Sequence, residues 1–336
     1  MQTNKSTSLN KYIFKYFGEF IEDESITEIC YNGDKKIWTL DSKSRWNEHT
    51  TELNFTGASA FAQAVAAFKN TEVQRNKPIL SATLPNGERV QIVLPDATKD
   101  KHISITIRKP SSRRFTLDDY DAQGIFKEIG KRESALSEID QTLLEYHKKN
   151  DYKSFMINAV KYGKNIIISG ETGSGKTTFM KSLIDYIPID ERIITIEDVE
   201  EIRFYQHENY VQLFYPSEAK NDDPVTSASL LKSCLRMKPD RILLAELRGG
   251  ETYDFINVIN SGHNGSITSC HAGSVSETFT RLVLMTLKNE EGQKLPHATI
   301  EKILHDMIDV VVHMHEQDGI RFITEIYYKG AKNESE

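Results

Sequence analysis

The stretch Ile166-Ile167-Ile168-Ser169-Gly170-Glu171-Thr172-Gly173-Ser174-Gly175-Lys176-Thr177-Thr178 decides the fold of this chain. Its uncharged, β-branched start predicts a buried strand, and the apolar residues that recur after Thr177 predict a helix. The pattern Gly-x-x-x-x-Gly-Lys-Thr between them is typical of a phosphate-binding loop, or P-loop. Backbone N–H groups and the helix N-terminus attract phosphate, Lys176 reaches the outer phosphates, and the Thr177 hydroxyl suits Mg²⁺. The sequence therefore predicts a nucleoside triphosphate site at Gly170, Glu171, Thr172, Gly173, Ser174, Gly175, Lys176, Thr177 and Thr178.

The bulk composition sets limits on the fold and on the partners. A chain of 336 residues predicts two domains, and a formal net charge of −7 argues against a global basic field that attracts DNA or anionic lipid. The three cysteines lie far apart in the sequence, which argues against a disulfide framework and a zinc site. No apolar run approaches the roughly 20 residues that span a bilayer, and the start shows no signal peptide, so we expect a cytoplasmic protein.

The order of predicted elements divides the chain into three parts. Residues 1–110 predict a compact α+β domain, and residues 111–150 predict a linker with short helices such as Ser137–Lys149. Residues 151–336 alternate strands and helices, which indicates an α/β domain with a mainly parallel sheet. For the strand at Asn209–Phe214 an antiparallel orientation is left open.

Polar residues follow three strands of the second domain beyond the P-loop. These are Glu197 and Asp198, then Glu246, then His271. Functional groups of a parallel sheet gather at the carboxyl ends of its strands. Hydrolysis of a phosphoanhydride needs a magnesium shell and a carboxylate that orients water. We expect Glu246 to be that carboxylate, with Glu197 as the second acidic group near the metal.

The motifs resemble those of the traffic ATPases that power bacterial secretion and pilus machines. Thr195–Asp198 is similar to their aspartate box, Leu235–Arg248 to their Walker B element, and Gly262–Gly273 to their histidine box. In the first domain, Leu84–Val93 and Ile105–Pro110 are similar to the type IV secretion branch, the VirB/TrbB-like hexameric ATPases.

This resemblance implies a ring of six two-domain subunits with a RecA-like P-loop domain, and ATP clamped between the domains. It implies that Arg89 and Arg108 of the first domain reach the phosphates, with Arg113 and Arg114 as weaker candidates. Ala245 stands where the family commonly has glycine before the glutamate, a tolerated exchange of one small residue for another.

The sequence therefore predicts an ATPase of a type IV secretion or conjugation apparatus, a homohexamer peripheral to the inner membrane and bound to its components. ATP and Mg²⁺ are the expected cofactors. Glu246, Glu197, His271 and Lys176 are the expected catalytic residues, and Thr177, Glu197 and Glu246 the expected metal ligands. One alternative is a nucleotide-gated docking module with vestigial hydrolysis. A nucleic-acid motor is another, but the acidic balance disfavours it and no sequence-specific nucleic-acid binding is expected. A small-molecule kinase is a distant third.

Overall fold

The computed structural model describes residues 2–111, 115–127, 129, 137–220 and 223–332. The helices in these ranges are α1 (Gln2–Glu22), α2 (Phe55–Phe68), α3 (Leu117–Ala122), α4 (Glu138–Lys148), α5 (Tyr152–Lys161), α6 (Lys176–Ile184), α7 (Ser227–Cys234), α8 (Glu251–Asn260), α9 (Val275–Thr286), α10 (His297–Met307) and α11 (Lys329–Lys332). The strands are β1 (Ile26–Tyr31), β2 (Lys36–Asp41), β3 (Trp46–Thr50), β4 (Ile79–Thr83), β5 (Arg89–Val93), β6 (Ser104–Arg108), β7 (Ile166–Gly170), β8 (Ile193–Glu197), β9 (Tyr210–Phe214), β10 (Arg241–Leu247), β11 (Ile267–Cys270), β12 (Val310–Gln317) and β13 (Ile320–Tyr328). No helix in this described part is both long and apolar enough to cross a membrane.

The first sheet has six antiparallel strands in the order β3-β2-β1-β6-β5-β4. The helices α1 and α2 supply the apolar core of this region, where the rings of Phe17 and Phe61 lie 5.2 Å apart. The edge strand β3 is absent from the sequence prediction because its residues are mostly exposed and show no apolar alternation. The expected smaller α+β region is confirmed.

The second sheet has seven strands in the order β13-β12-β7-β11-β10-β8-β9. The six strands from β12 to β9 are parallel, and β13 closes one edge as an antiparallel neighbour of β12. β7, the strand before the P-loop, is buried along its whole length, as expected for a strand covered on both faces. The antiparallel orientation left open for β9 is wrong, because Ile193 pairs with Tyr210 in a parallel register.

Helices cover both faces of this sheet. One face packs against α7 to α10, and the other packs against α4 to α6. The helix expected in the linker, α4, belongs to this core because Leu143 and Leu144 are buried with Phe155 and Val312. That part of the linker interpretation is therefore corrected, since an amphipathic helix with a pair of buried leucines acts as a packing element.

The two sheets meet at the amino ends of the parallel strands. Arg192, immediately before β8, is fully buried, and its Nη1 atom donates to Oδ1 of Asn32 at 2.9 Å and of Asn209 at 2.6 Å. Trp46 of β3 donates from its indole nitrogen to Asp240 at 2.7 Å. A second contact joins the loop after β5 to the free edge of β9, where Phe214 donates its backbone N–H to Ala97 at 3.0 Å.

Candidate active site

The P-loop lies between β7 and α6, at the carboxyl edge of the second sheet. Gly170 has a φ of +152°, and a Cβ atom there would lie 2.3 Å from the carbonyl oxygen of Met314. Gly175 begins α6 in the left-handed region with a φ of +92°, and no side chain caps the helix there. These glycines bring the loop backbone close to its neighbours while the first N–H groups of the helix stay uncapped by side chains. This is the backbone geometry that an anion needs.

The remaining predicted loop residues differ in exposure. Ser174 is buried, and its hydroxyl donates to the carbonyl oxygen of Glu171 at 2.8 Å. Thr177, at the start of α6, is half-buried. The exposed members of the loop are Glu171, Thr172, Gly173 and Thr178. The loop therefore combines an internal hydroxyl brace with an open outer face.

Lys176 is the one charged P-loop residue that is buried in the described structure. Its Nζ atom donates to the carbonyl oxygens of Gly170 at 2.9 Å and Glu171 at 2.8 Å, and lies 3.4 Å from Nδ1 of His271. Burial lowers the pKa of this ammonium, although the charge of Glu246 opposes the shift. Among the described side chains no carboxylate pairs with it directly, so a phosphate group is the partner that its charge favours.

A chain of polar contacts links Lys176 to the predicted base. The Nε2 atom of His271, after β11, lies 2.8 Å from Oε1 of Glu246, near the end of β10. The other carboxylate oxygen of Glu246 accepts a hydrogen bond from Nε of Arg248 at 2.7 Å. The structure therefore brings Lys176, His271 and Glu246 together, as the sequence predicts.

The chain of contacts continues to the end of β8. Arg248 donates from Nη1 to Oδ2 of Asp198 at 2.6 Å, and the hydroxyl of Ser217 donates to the same oxygen at 3.2 Å. Partial burial raises the pKa of the Asp198 carboxyl, but the hydrogen bonds and the charge of Arg248 outweigh it, so the net shift is downward. Burial lowers the pKa of the Arg248 guanidinium, but the hydrogen bonds and charges of Glu246 and Asp198 outweigh burial, so the net shift is upward.

Glu197 is enclosed by hydrogen-bond donors at the end of β8 and in the loop that follows it. It is fully buried, and its two oxygens accept hydrogen bonds from the Thr195 hydroxyl at 2.7 Å and from the backbone N–H groups of Glu201 at 2.9 Å and Ile202 at 2.8 Å. With these donors in place, the carboxylate holds the loop that crosses from β8 to β9. Glu197 is therefore engaged by its own loop, whereas the neighbouring Asp198 bonds Arg248, and the catalytic and metal-binding role expected of Glu197 stays a prediction.

Among the described contacts, neither Arg89 nor Arg108 has a hydrogen bond or ion pair with the P-loop of its own chain. Both are exposed and face each other in register on β5 and β6. The Nε atom of Arg108 lies 3.5 Å from Oε1 of Glu28. The charges of Lys238 and Arg192 also act to lower the pKa of this carboxyl. These two cations precede β10 and β8, so the arginines sit towards the amino edge of the parallel strands, opposite the P-loop. Arg113 and Arg114 lie outside the described residues.

Two further residues at the site were not predicted. Arg321 of β13 donates from Nε to the carbonyl oxygen of Gly173 at 3.0 Å, and no local sequence signal marks it. Arg248 carries a signal, since it lies two residues after Glu246 and therefore on the same side of an extended chain.

A cleft of about 560 Å³ opens beside the P-loop and is lined by Glu171, Thr172, His271, Ala272, Gly273, Glu277, Thr280, Arg281 and Leu284.

The fold and this geometry define a class of protein. A P-loop after β7, a histidine directly after the adjacent β11 and a glutamate near the end of β10 are an arrangement typical of a P-loop nucleoside triphosphatase. Residues 19–316 match the family model of the Type II/IV secretion system protein, and the chain belongs to this family. The chain is accordingly a nucleotide-binding ATPase with a RecA-like domain.

Similar proteins cover almost the whole chain. The type IV secretion system protein VirB11 of Brucella abortus (strain 2308) is 50% identical over 315 residues, which are 92% of this chain and 87% of that protein. VirB11 of Bartonella henselae is 41% identical over 320 residues, 92% of this chain and 90% of that protein. A crystal structure of the VirB11 ATPase from the Brucella suis type IV secretion system, in complex with sulphate, matches with a TM-score of 0.93. It is 45% identical and covers 99% of this chain and 98% of that one.

Proposed function

We propose that this chain is the ATP-hydrolysing motor subunit of a type IV secretion or conjugation apparatus. The observation that carries the proposal is the run of contacts from Lys176 through His271 to Glu246, which links the phosphate loop to a carboxylate. The similarity to VirB11 proteins along most of the chain supports the assignment to this kind of machine.

In this proposal Lys176 and the loop N–H groups bind the outer phosphates of ATP. Glu246 is assigned the role of orienting and polarising the attacking water, because its Oε1 atom lies at the end of this run of contacts, 2.8 Å from Nε2 of His271. His271 lies between the lysine and the glutamate, so it is placed to report whether a γ-phosphate is bound. Closure around the nucleotide would then be the mechanical output.

The residues at the site fit a magnesium ion that enters with the nucleotide. Among the described residues no group of three or more acidic, histidine or cysteine side chains forms a separate metal cage. Mg²⁺ usually combines one or two protein oxygens with phosphates and water. We assign the protein oxygens to Thr177 and Glu246, since Glu197 is fully buried under its own loop whereas the side chain of Glu246 keeps 15% exposure. When bound, the ion would neutralise charge on the phosphates.

We further propose that the working unit is a homohexamer in which Arg89 and Arg108 serve a neighbouring subunit. The resemblance to the secretion ATPases implies arginines on the phosphates, and the placement of these two near the opposite sheet edge supports a role in trans. The ring would act on the cytoplasmic face of the inner membrane, in contact with membrane components of the apparatus.

ATP turnover per chain, measured across a range of protein concentrations, tests the proposal, with Lys176→Ala as the blank. We expect specific activity to rise with concentration and then saturate, because the site needs a neighbour. Activity that stays constant down to high dilution, in a species that a mass measurement shows to be monomeric, would refute the ring. No turnover above the blank at any concentration would favour the docking module.

A further inference from the structure

Arg248 bridges two carboxylates that belong to different strands. Its Nε atom donates to Glu246 at 2.7 Å, and its Nη1 atom donates to Asp198 at 2.6 Å. The guanidinium is half exposed, whereas both carboxylates are largely covered, with side-chain exposures of 15% and 16%. A planar guanidinium offers several donors in a fixed fork, which lysine cannot imitate. The guanidinium therefore fixes the orientation of both carboxylates as well as compensating their charge.

The backbone below the bridge is held independently of the arginine side chain. Glu251 accepts hydrogen bonds at one carboxylate oxygen from the N–H groups of Arg248 at 2.5 Å and Gly249 at 2.8 Å. Removing the guanidinium leaves these contacts in place. The side chain can therefore be tested without dismantling the turn that follows β10.

The bridge decides how the carboxylate of Glu246 is presented. Because Oε2 is engaged by Arg248, Oε1 is the oxygen that faces His271, which in turn lies 3.4 Å from Nζ of Lys176. A carboxylate free to rotate would lose this alignment, and a small misplacement of a catalytic group lowers the rate steeply. Asp198 supports the alignment from the neighbouring strand, because it holds the other end of the same guanidinium.

We propose that Arg248 is a positioning residue that aims Glu246 at the reacting water and couples it, through Asp198, to the end of β8. The proposal rests on the proposed role of Glu246. It assigns Arg248 no contact with the nucleotide, so its effect belongs in the turnover number and not in the Michaelis constant.

The test compares steady-state ATP turnover of single variants. We expect Arg248→Ala to lower kcat by about 100-fold while KM for ATP stays within about threefold. Arg248→Lys should recover part of the loss because it restores charge without the fork, and added guanidinium ion should raise kcat of Arg248→Ala alone. Arg45→Ala is the matched control, since Arg45 is also exposed and bonded to a carboxylate, Asp41, in the first sheet. It should behave as wild type.

A double-mutant cycle tests the coupling to β8. Asp198→Asn should lower kcat by about tenfold, and the double variant Arg248→Ala/Asp198→Asn should be no slower than Arg248→Ala alone. Wild-type kcat in Arg248→Ala, a raised KM at unchanged kcat, or fully additive losses would each overturn the proposal. Glu246→Gln distinguishes failure of the proposed role of Glu246 from failure of the positioning role of Arg248. If that variant still turns over ATP, the proposed role of Glu246 fails. If it is inactive while Arg248→Ala is normal, only the positioning role fails.

Discussion

Two buried cations occupy opposite edges of the seven-stranded sheet, and they differ in what surrounds them. Lys176, at the carboxyl edge, donates to two loop carbonyls beside an open cleft. Arg192, at the amino edge, is enclosed by the carbonyl of Met237, two asparagine side chains and the indole of Trp46, 5.7 Å from its guanidinium carbon. Burial of a charge therefore does not by itself mark a binding site. The two edges differ in access for an anion, which is open at Lys176 and closed at Arg192.

The largest contrast comes from removing the lysine. We expect Lys176→Ala to lower ATP turnover by about 1000-fold, because the outer phosphates lose their cation. Its thermal unfolding temperature should stay close to that of wild type, since the lost bonds go to carbonyls of a loop whose outer face is open. Phosphate release and differential scanning fluorimetry measure the two effects. A large loss of stability would show that Lys176 is as structural as Arg192.

The opposite pattern is expected at the amino edge. Arg192→Met should lower the free energy of unfolding by about 3 kcal/mol, because three buried acceptors each lose a hydrogen bond from a charged donor. Turnover per folded chain should remain near the wild-type value. Urea denaturation gives the first quantity, and turnover normalised to folded protein gives the second. A stable variant with lost turnover would reverse the assignment of the two edges.

Glu28 makes the amino edge sensitive to pH. Burial raises the pKa of this carboxyl from 4.5 to about 7, although Arg108, Lys238 and Arg192 oppose the shift. The folded state then binds more protons than the unfolded state between these values, so this group lowers stability as pH rises from 4.5 to 7. The loss is at most about 3 kcal/mol. We expect Glu28→Gln to be more stable than wild type at pH 8 and equal to it at pH 4.

The exposed Glu52→Gln is the control for that series and should follow the wild-type curve at every pH. A Glu28→Gln curve that stays parallel to wild type from pH 4 to pH 8 would mean that this carboxyl does not titrate in the expected window.

Substitution of Glu197, at the carboxyl edge of the sheet, has the smallest expected effect on stability. Glu197→Gln should cost about 2 kcal/mol, because an amide has one acceptor oxygen in place of two. If that oxygen accepts from the backbone N–H groups of Glu201 and Ile202, the amide nitrogen meets the donor nitrogen of Gln212. The Mg²⁺ concentration that gives half-maximal turnover should not change. Urea denaturation and a magnesium titration of turnover measure both. A strongly raised magnesium requirement at normal stability would restore Glu197 as a metal ligand.

Local patterns predicted much of the fold and part of the site. The P-loop, His271 and Glu246 follow from strand ends that sequence alone reveals, because parallel strands finish at one edge. The sequence does not distinguish the surroundings of Glu197 and Asp198: the first carboxylate accepts from its own loop and the second from Arg248, because neighbouring residues of an extended chain point to opposite sides. The bridge made by Arg248 joins strands that are distant in sequence, and no local pattern encodes such a pairing.

The arrangement at Arg192 escaped prediction for the same reason. Its partners Asn32 and Trp46 come from the first sheet and meet the second only after both have folded. The placement of Arg108 depends on the same docking. Sequence similarity supplied its expected role at the phosphates, while the structure places its guanidinium 3.5 Å from Glu28 of the first sheet.

Mixing two inactive variants tests most directly whether the carboxyl edge of one chain is completed by the amino edge of another. Lys176→Ala keeps Arg108, and Arg108→Ala keeps the P-loop, so a mixed ring contains interfaces with both groups intact. We predict that each variant alone has little turnover and that an equimolar mixture, assembled at saturating protein concentration, regains a substantial fraction of wild-type activity. A mixture no more active than the mean of its two components would contradict the account.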